Sequence, residues 1–592
     1  MISFDVWAPR PQRLTLLADG RRFPMRREDS GWWRPVDLDP ELLRAGVDYG
    51  YLLDDEETPL PDPRSRRQPN GVHGLSQTVD PTAFDWTDHA WTGRQLAGSV
   101  IYELHIGTFT PEGTLDAAIG RLDHLVALGV DLVEPLPVNA FNGEHGWGYD
   151  GVDWYAVHEP YGGPEAYRRF VDACHARGLG VVQDAVYNHL GPSGNYLPRF
   201  GPYLLEGAET PWGTQINLDG PDSDEVRRYL IDNALAWFAD FHVDALRLDA
   251  VHALVDHRAT HVLEQLAAET AALSAHLRRP LSLIAESDAN DPRMITPREA
   301  GGLGMTGQWS DDFHHALLTN LTGDVSGYFA DFAGPAALAR VIERGFYHDG
   351  GWSSFRRRHH GRPLDPEQTP AWRLVVCSAN HDQVGNRAAG DRPRARLDQG
   401  QLVIAAALVL LGNQTPMIFA GEEWGASTPF AYFTSHPEPE LGEAVSRGRK
   451  GEFAAMGWNL DDIPDPQDPA TFTRSKLDWS EPDAGEYAEL LTAYRQLIGI
   501  RRAHAAITDP RLASALVDFD ADAGWFAVRR GPITLVVNLA DRETRAPVTG
   551  EPIFSHGEVR GEGAETVLGA HATLVLGGDL LPRQEETPAA EA

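Results

Sequence analysis

Cysteine is nearly absent from this 592-residue chain: Cys174 sits in a helical pattern and Cys377 in an apolar strand pattern. Two cysteines so placed exclude a disulfide framework and give no metal-ligand spacing. Positive charge is also short, with 51 Lys and Arg against 86 Asp and Glu and a formal net charge of -35. Phosphate backbones and anionic lipid need basic side chains to neutralise them, so neither nucleic acid nor a membrane is an expected partner. No run of about 18 apolar residues occurs. Residues 1–7 alternate like a strand and lack the basic-then-apolar profile of a signal peptide. These absences read as a soluble cytoplasmic protein whose ligand is neutral and rich in hydroxyls. The 16 Trp and 16 Tyr offer flat faces for such a ligand, with most of them expected in the core.

A chain of this length exceeds one hydrophobic core, so two or three domains are expected. Residues 1–90 carry short alternating runs at 3–7, 13–17, 32–36 and 49–53, the pattern of an immunoglobulin-like β-sandwich. A connector rich in proline (Pro59, Pro61, Pro63, Pro69, Pro81) leads to Trp86 and Trp91. Across 91–510 the pattern becomes strand, loop, amphipathic helix, repeated. Strand candidates fall at 100–104, 130–135, 180–186, 243–248, 281–285, 305–309, 373–378 and 416–420. Between them, Leu115, Ile119, Leu122, Leu125 and Val126 share a helical spacing, a helix over 167–177 is closed by Gly178, and another spans 224–241 with Asp222 or Ser223 as its cap. Eight alternating units predict an α/β fold of the (β/α)8 TIM-barrel type. An open doubly wound sheet would want a glycine-rich phosphate loop after an early strand, and none is present. Strand patterns return at 515–519, 525–529, 533–538 and 573–576, giving a small C-terminal β domain over 511–580. Residues 581–592 are acidic and Ala/Pro-rich, and are expected to be disordered.

Chemistry in such a barrel sits where the strands end. Strand three runs through Asp184 to Asn188 and His189, strand four through Arg247, Leu248 and Asp249 to His252, strand five reaches Glu286, and strand seven reaches His381 and Asp382. Side chains alternate along a strand, so Arg247 and Asp249 share a face while Leu246 and Leu248 point toward the helices. Asp249, Glu286 and Asp382 therefore converge on one rim. Like charges in a partly dry cleft raise at least one pKa, and glycoside cleavage uses that: one carboxylate attacks while a neutral acid protonates the leaving oxygen. Arg247 would keep the nucleophile ionised. A lone carboxylate there could be a helix cap or a surface ion pair; three, with Arg247, His189, His252 and His381, argue for a site. A divalent metal held by His189, His381 and carboxylates is the other reading. Barrels that do this carry a His-x-His pair after strand one, whereas this chain has only His105.

These segments resemble the α-amylase superfamily of glycosidases over essentially the whole chain. Residues 184–189 look like its first motif, 247–249 its second, Glu286 its third and 380–382 its fourth. The resemblance implies that Asp249 is the nucleophile, Glu286 the acid/base, and Asp382 the group that grips sugar hydroxyls, in a retaining double displacement with no metal or other cofactor. It also implies that Arg247, His189 and His381 hold the ring at the cleavage point, that Tyr149 stacks beneath it, and that Asp184 supports Arg247.

Residues 284–293, 309–315, 381–387 and 433–436 look like one branch of the superfamily. That branch cuts the α-1,4 bond beside the terminal trehalose of maltooligosyltrehalose, and α-1,4-glucan oligosaccharides become the expected partners. The expected substrate-binding set is Tyr149, His189, Arg247, Leu248, Ala250, Val251, His252, Asp311, Asp312, Phe313, His314, His315, His381, Gln383 and Asn386. After Asp249 the chain reads Ala-Val-His, where amylases that cut internal bonds carry Lys-His, so a different leaving group is expected. A branching transferase, an isoamylase-type debranching enzyme and a non-catalytic glycan binder are the alternatives. The intact trio opposes the last, since binding needs no nucleophile. Asp311 or Asp312 could instead cap the helix that follows.

Overall fold

A computed structural model describes residues 2–455 and 463–578. The expected disordered tail lies outside the described residues.

All eight strand candidates form strands and close into a parallel barrel: Ile101–Leu104, Leu132–Pro135, Gly180–Ala185, Ala245–Leu248, Ser282–Ala285, Gly307–Trp309, Leu374–Val376 and Thr415–Phe419. The eighth pairs with the first, Met417 opposite Ile101 and Phe419 opposite Glu103. Period-two alternation sorts the side chains. Ile101, Leu132, Val182, Ala245, Ile284, Val375 and Met417 form an apolar plug inside the barrel. Two residues further along the same strands stand Glu103, Glu134, Asp184, Arg247, Glu286, Cys377 and Phe419. A dry layer therefore gives way, within one repeat of the pleat, to a layer rich in charge, which becomes the floor of the cleft.

Two helical expectations need correction. The apolar series from Leu115 to Val126 is two short helices, Leu115–Ile119 and Leu122–Leu128. Gly120 ends the first through bonds to Ala117 and Ala118, and the break leaves Val126 44% exposed. Asp222 does precede the helix Ser223–Asp240, but with φ at 59° its side chain makes no capping bond. Asp224 and Glu225 in the first turn meet the positive end of the helix dipole instead. Among the described residues no helix is long and apolar enough to cross a membrane.

Six N-terminal strands from Val6–Trp7 to Ser76–Gln77 pair antiparallel. Their Trp7 ring meets Tyr203 edge-on at 5.2 Å, and the Arg10 amide donates to Phe200 at 3.1 Å, so this sheet buttresses the chain that returns to the cleft. The proline-rich connector is fastened by arginines: Arg64 pairs with Asp232 at 3.0 Å and Arg67 with Glu159 at 2.5 Å. Beyond it, His175 lies between Asp88 (2.8 Å) and Asp244 (3.1 Å), with Trp91 stacked on its ring at 4.4 Å. Burial alone would lower the pKa of His175, but its bonds to Asp244 and Asp88 outweigh burial and raise it. A raised folded pKa contributes stability that is complete below the unfolded value near 6.5 and is lost as pH rises through the folded value. His175→Gln is therefore expected to cost about 3–5 kcal/mol at pH 6, as breaking a buried pair does, and less at alkaline pH. Denaturant unfolding at both pH values checks this, and a gap independent of pH would rule out the ionic contribution.

At the other end, Leu516–Asp520, Trp525–Arg530, Ile533–Asn538, Thr573–Gly577 and Glu551–His556 form a five-stranded antiparallel sheet beside a three-stranded one. The Val517 amide ties the first of these strands to Glu343 at 3.0 Å.

Candidate active site

The cleft opens at the carboxyl ends of the barrel strands, with a volume of about 860 Å³. Arg247, fully buried, is its electrostatic centre. Its Nη1 donates to both oxygens of Asp184 (2.9 and 2.8 Å) and to Asp249 Oδ1 (2.9 Å). Its guanidinium lies over Trp309, 4.3 Å from the ring centroid. Asn188 donates to the other Asp249 oxygen at 2.9 Å, so both carboxylate oxygens of that residue are fixed. Just after it, Ala250 adopts a left-handed φ of 38°, a strained conformation for a residue with a side chain. That turn aims the Ala250 amide at Glu286 Oε2.

Glu286 occupies a different environment. Burial pushes its pKa up to about 8, with Asp249, Asp311 and Asp382 adding to the rise and Arg247, 3.6 Å away, opposing it. Its carboxyl is thus protonated at neutral pH. One acid and one fixed carboxylate in the same cleft are the two parts that glycoside cleavage needs.

His381 anchors the opposite wall. Glu103 takes its Nδ1 at 2.6 Å and its amide at 2.9 Å. Burial would lower the pKa of this imidazole, but Asp382 and Glu103 raise it to about 9, so it is cationic. Tyr149 stacks on His381 with centroids 5.2 Å apart, and its hydroxyl lies 2.8 Å from both His381 Nε2 and Asp184 Oδ2. Gly148 makes this possible: its φ is 100°, and a Cβ there would stand 2.1 Å from the Pro137 carbonyl oxygen. His189 lines the cleft with both ring nitrogens engaged, by Asn188 and by the Tyr149 carbonyl. Asp382, whose side chain is 44% exposed, reaches into the open cleft and accepts from Asn386 at 3.1 Å.

The structure separates the remaining expected residues. Ala250 and Asn386 line the cleft. Leu248 (1% exposed), Val251 (2%) and Phe313 (1%) are packed in the core, Leu248 because it points to the helix side of its strand. Asp312 is turned away from the cleft and anchors a loop, accepting from Asn290 (2.8 Å) and from the Tyr347 and His348 amides (2.8 and 3.1 Å). His314 bonds the Ser378 carbonyl at 2.8 Å and shares a small side cavity with Gln383. His315 packs among Tyr328, Phe329 and Phe332, and burial holds its pKa well below the usual range. Asp311 stays with Glu286 and Asp382: burial, then Asp382, Asp312 and Asp288, push its pKa up to about 7. His252 is exposed beside the cleft, its ring 5.5 Å from that of Trp212.

Sequence reasoning missed one wall entirely. A hairpin, Leu204–Thr210 with Gly213–Ile216, contributes Glu209, Trp212 and Thr214 to the cleft, with Trp212 at its tip and 43% exposed. The Pro-Trp-Gly turn at 211–213 was the available signal. Glu103, the His381 partner, was also missed: it lay inside an apolar run, where a charge is itself a sign of an interior site.

Comparison with known proteins agrees with this geometry. The family model described as alpha amylase, catalytic domain, matches residues 78–200, and that of a domain of unknown function, DUF3459, matches 510–575. A malto-oligosyltrehalose trehalohydrolase of Rhizobium sp. (strain M-11) is 57% identical over 97% of each chain. Another, of Arthrobacter ramosus, is 60% identical over 94% of this chain and 96% of its own. A solved structure of a Salmonella typhimurium protein assigned as an alpha amylase superposes with a TM-score of 0.88, 36% identity and 97% coverage of each chain. The chain therefore belongs to the malto-oligosyltrehalose trehalohydrolases, within the α-amylase superfamily.

Proposed function

We propose that this enzyme hydrolyses the α-1,4-glucosidic bond beside the terminal trehalose unit of maltooligosyltrehalose, releasing trehalose and a maltooligosaccharide. The observation that carries the mechanism is the division of labour between two carboxyl groups in one cleft. Asp249, its oxygens fixed by Arg247 and Asn188, attacks the anomeric carbon. Glu286, held in the protonated form, gives its proton to the leaving trehalose oxygen and then, as a carboxylate, draws a proton from the water that releases the sugar. Asp382, the cationic His381 and Tyr149 grip the ring being transferred. We assign this chemistry to residues 91–510, with 1–90 and 511–580 as flanking domains. We place the enzyme in the cytoplasm, in keeping with its two buried free thiols.

A branching enzyme would use the same carboxylates, so the products decide. Incubated with maltooligosyltrehalose, maltooligosaccharide and amylose in parallel, the enzyme is expected to release trehalose from the first and to cleave the other two more slowly, and the new reducing end is expected to appear first as the α anomer by NMR. Glucan transfer without trehalose release would overturn the substrate assignment. A β-configured first product would overturn the double displacement.

A further inference from the structure

In the charged layer of the barrel every carboxyl has a partner except one. Both Glu103 oxygens are taken by His381, those of Asp184 by Arg247 and Tyr149, and Glu286 accepts from the Ala250 amide. Glu134, on the second strand, is 1% exposed, and neither of its oxygens has a hydrogen-bond partner. The same interior holds unmatched donors: Arg247, fully buried, leaves Nε and Nη2 without an acceptor. Buried donors and acceptors left apart are costly, and a polar interior site with several such groups is one that ordered water fills.

Glu134 stands between two like charges. Its strand pairs with that of Glu103 residue for residue, and on its other side with the strand that carries Asp184. No cation lies within hydrogen-bond reach, so an ionised carboxylate here would be a bare buried charge among its own sign. The side chain is therefore a carboxylic acid. Burial, then Glu103 and Asp184, drive its pKa upward against Arg247 and His381.

We propose that Glu134 is a positioning residue for the glycosidase reaction: its neutral carboxyl engages the free Nε and Nη2 of Arg247 through ordered internal water. Held this way, the guanidinium serves Asp184 and Asp249 through Nη1 and stays back from Glu286. Without this acceptor, Nη2 has Glu286 Oε2, 3.6 Å away, to turn to. Closer approach of that cation would lower the Glu286 pKa and strip the acid of its proton at working pH. This inference rests on the reading of Glu286 as the acid.

The test is the pH dependence of kcat and kcat/KM for Glu134→Met and Glu134→Gln beside wild type. Glu134→Met, similar in size but without an acceptor oxygen, is expected to move the alkaline limb about one pH unit lower, so that kcat falls about tenfold at pH 9 and by less than about twofold at pH 7. Glu134→Gln keeps a neutral acceptor and is expected to stay within about twofold of wild type with the limb unmoved. A Met variant with the wild-type limb and rate would overturn the proposal, as would a Gln variant impaired as badly as the Met one. A wild-type enzyme with no alkaline limb would instead sink the reading of Glu286. If Glu134→Met does not fold, a crystal structure of the wild-type enzyme decides. Water within about 3.2 Å of both the Glu134 carboxyl and Arg247 Nε or Nη2 is expected, and its absence would refute the arrangement.

Discussion

Asp249→Asn should lower kcat by roughly 10⁴-fold, about 5.4 kcal/mol of barrier, while the protein stays folded. An amide oxygen is too weak a nucleophile to form the glycosyl-enzyme, and no other carboxylate is held so firmly at this point of the cleft. The stability cost should be small. Asn Oδ1 can still accept from Arg247, although its Nδ2 would then face the Asn188 amide that now donates to Asp249. Single-turnover kinetics with circular dichroism separate the two effects. A variant keeping more than about a tenth of wild-type turnover, under roughly 1.4 kcal/mol of barrier, would mean that the nucleophile is misassigned.

Glu286→Gln should cost about 10²–10⁴-fold on natural substrate, with a different signature. A leaving group that needs no proton, such as fluoride, bypasses the missing acid, so a glycosyl fluoride should restore attack in this variant and not in Asp249→Asn. In the wild type, the pKa of about 8 sets the alkaline limb: kcat/KM should fall tenfold per pH unit above it as Glu286 loses its proton. The same shift acts on stability. Because the folded pKa lies above the ordinary value near 4.5, the stability contributed by Glu286 is complete below that value and is lost as pH rises toward 8. Glu286→Gln, uncharged throughout, should therefore melt no lower than wild type at pH 8. A variant that melts well below it would show that Glu286 supports the fold as an anion, contrary to the role assigned.

The barrel was legible because each strand is an apolar run bounded by helix, and because polar residues end the runs where chemistry belongs. The triad and Arg247 followed from that alternation. What stayed hidden has physical reasons. Asp311 to His315 follow the sixth strand and all lie in the helix Asp311–Thr322, whose start the residue types alone do not fix. Successive side chains then turn by about 100°, so Asp311 remains with Glu286 and Asp382 while Asp312 faces a loop and Phe313 the core. Leu248, in the expected substrate-binding set, packs toward the helices, where the alternation of its strand already points it. The hairpin around Trp212 has exposed, polar strands with weak alternation, so nothing marked it as a wall of the site. The strand Arg21–Arg27 contains Pro24 and four arginines; only Phe23 and Met25 point inward.

The charged layer has a consequence for how the chain is made. Its members come from distant parts of the sequence: Glu103 belongs to the first strand, yet its partner His381 follows the seventh, and Tyr149 joins Asp184 to that same histidine. A nascent chain emerging through the fourth strand would own Glu103 but no cation for it except Arg247, which Asp184 and Asp249 already occupy. Drying such a half-barrel would strand that carboxylate bare in its interior, and the penalty keeps it hydrated and open. The early strands thus wait, wet, for the seventh. Closure should come as a late, all-or-none event once residues beyond 381 have left the ribosome, and excised four-strand fragments should stay unfolded. The layer that floors the catalytic cleft thereby also acts as a check that the whole barrel is present before it seals.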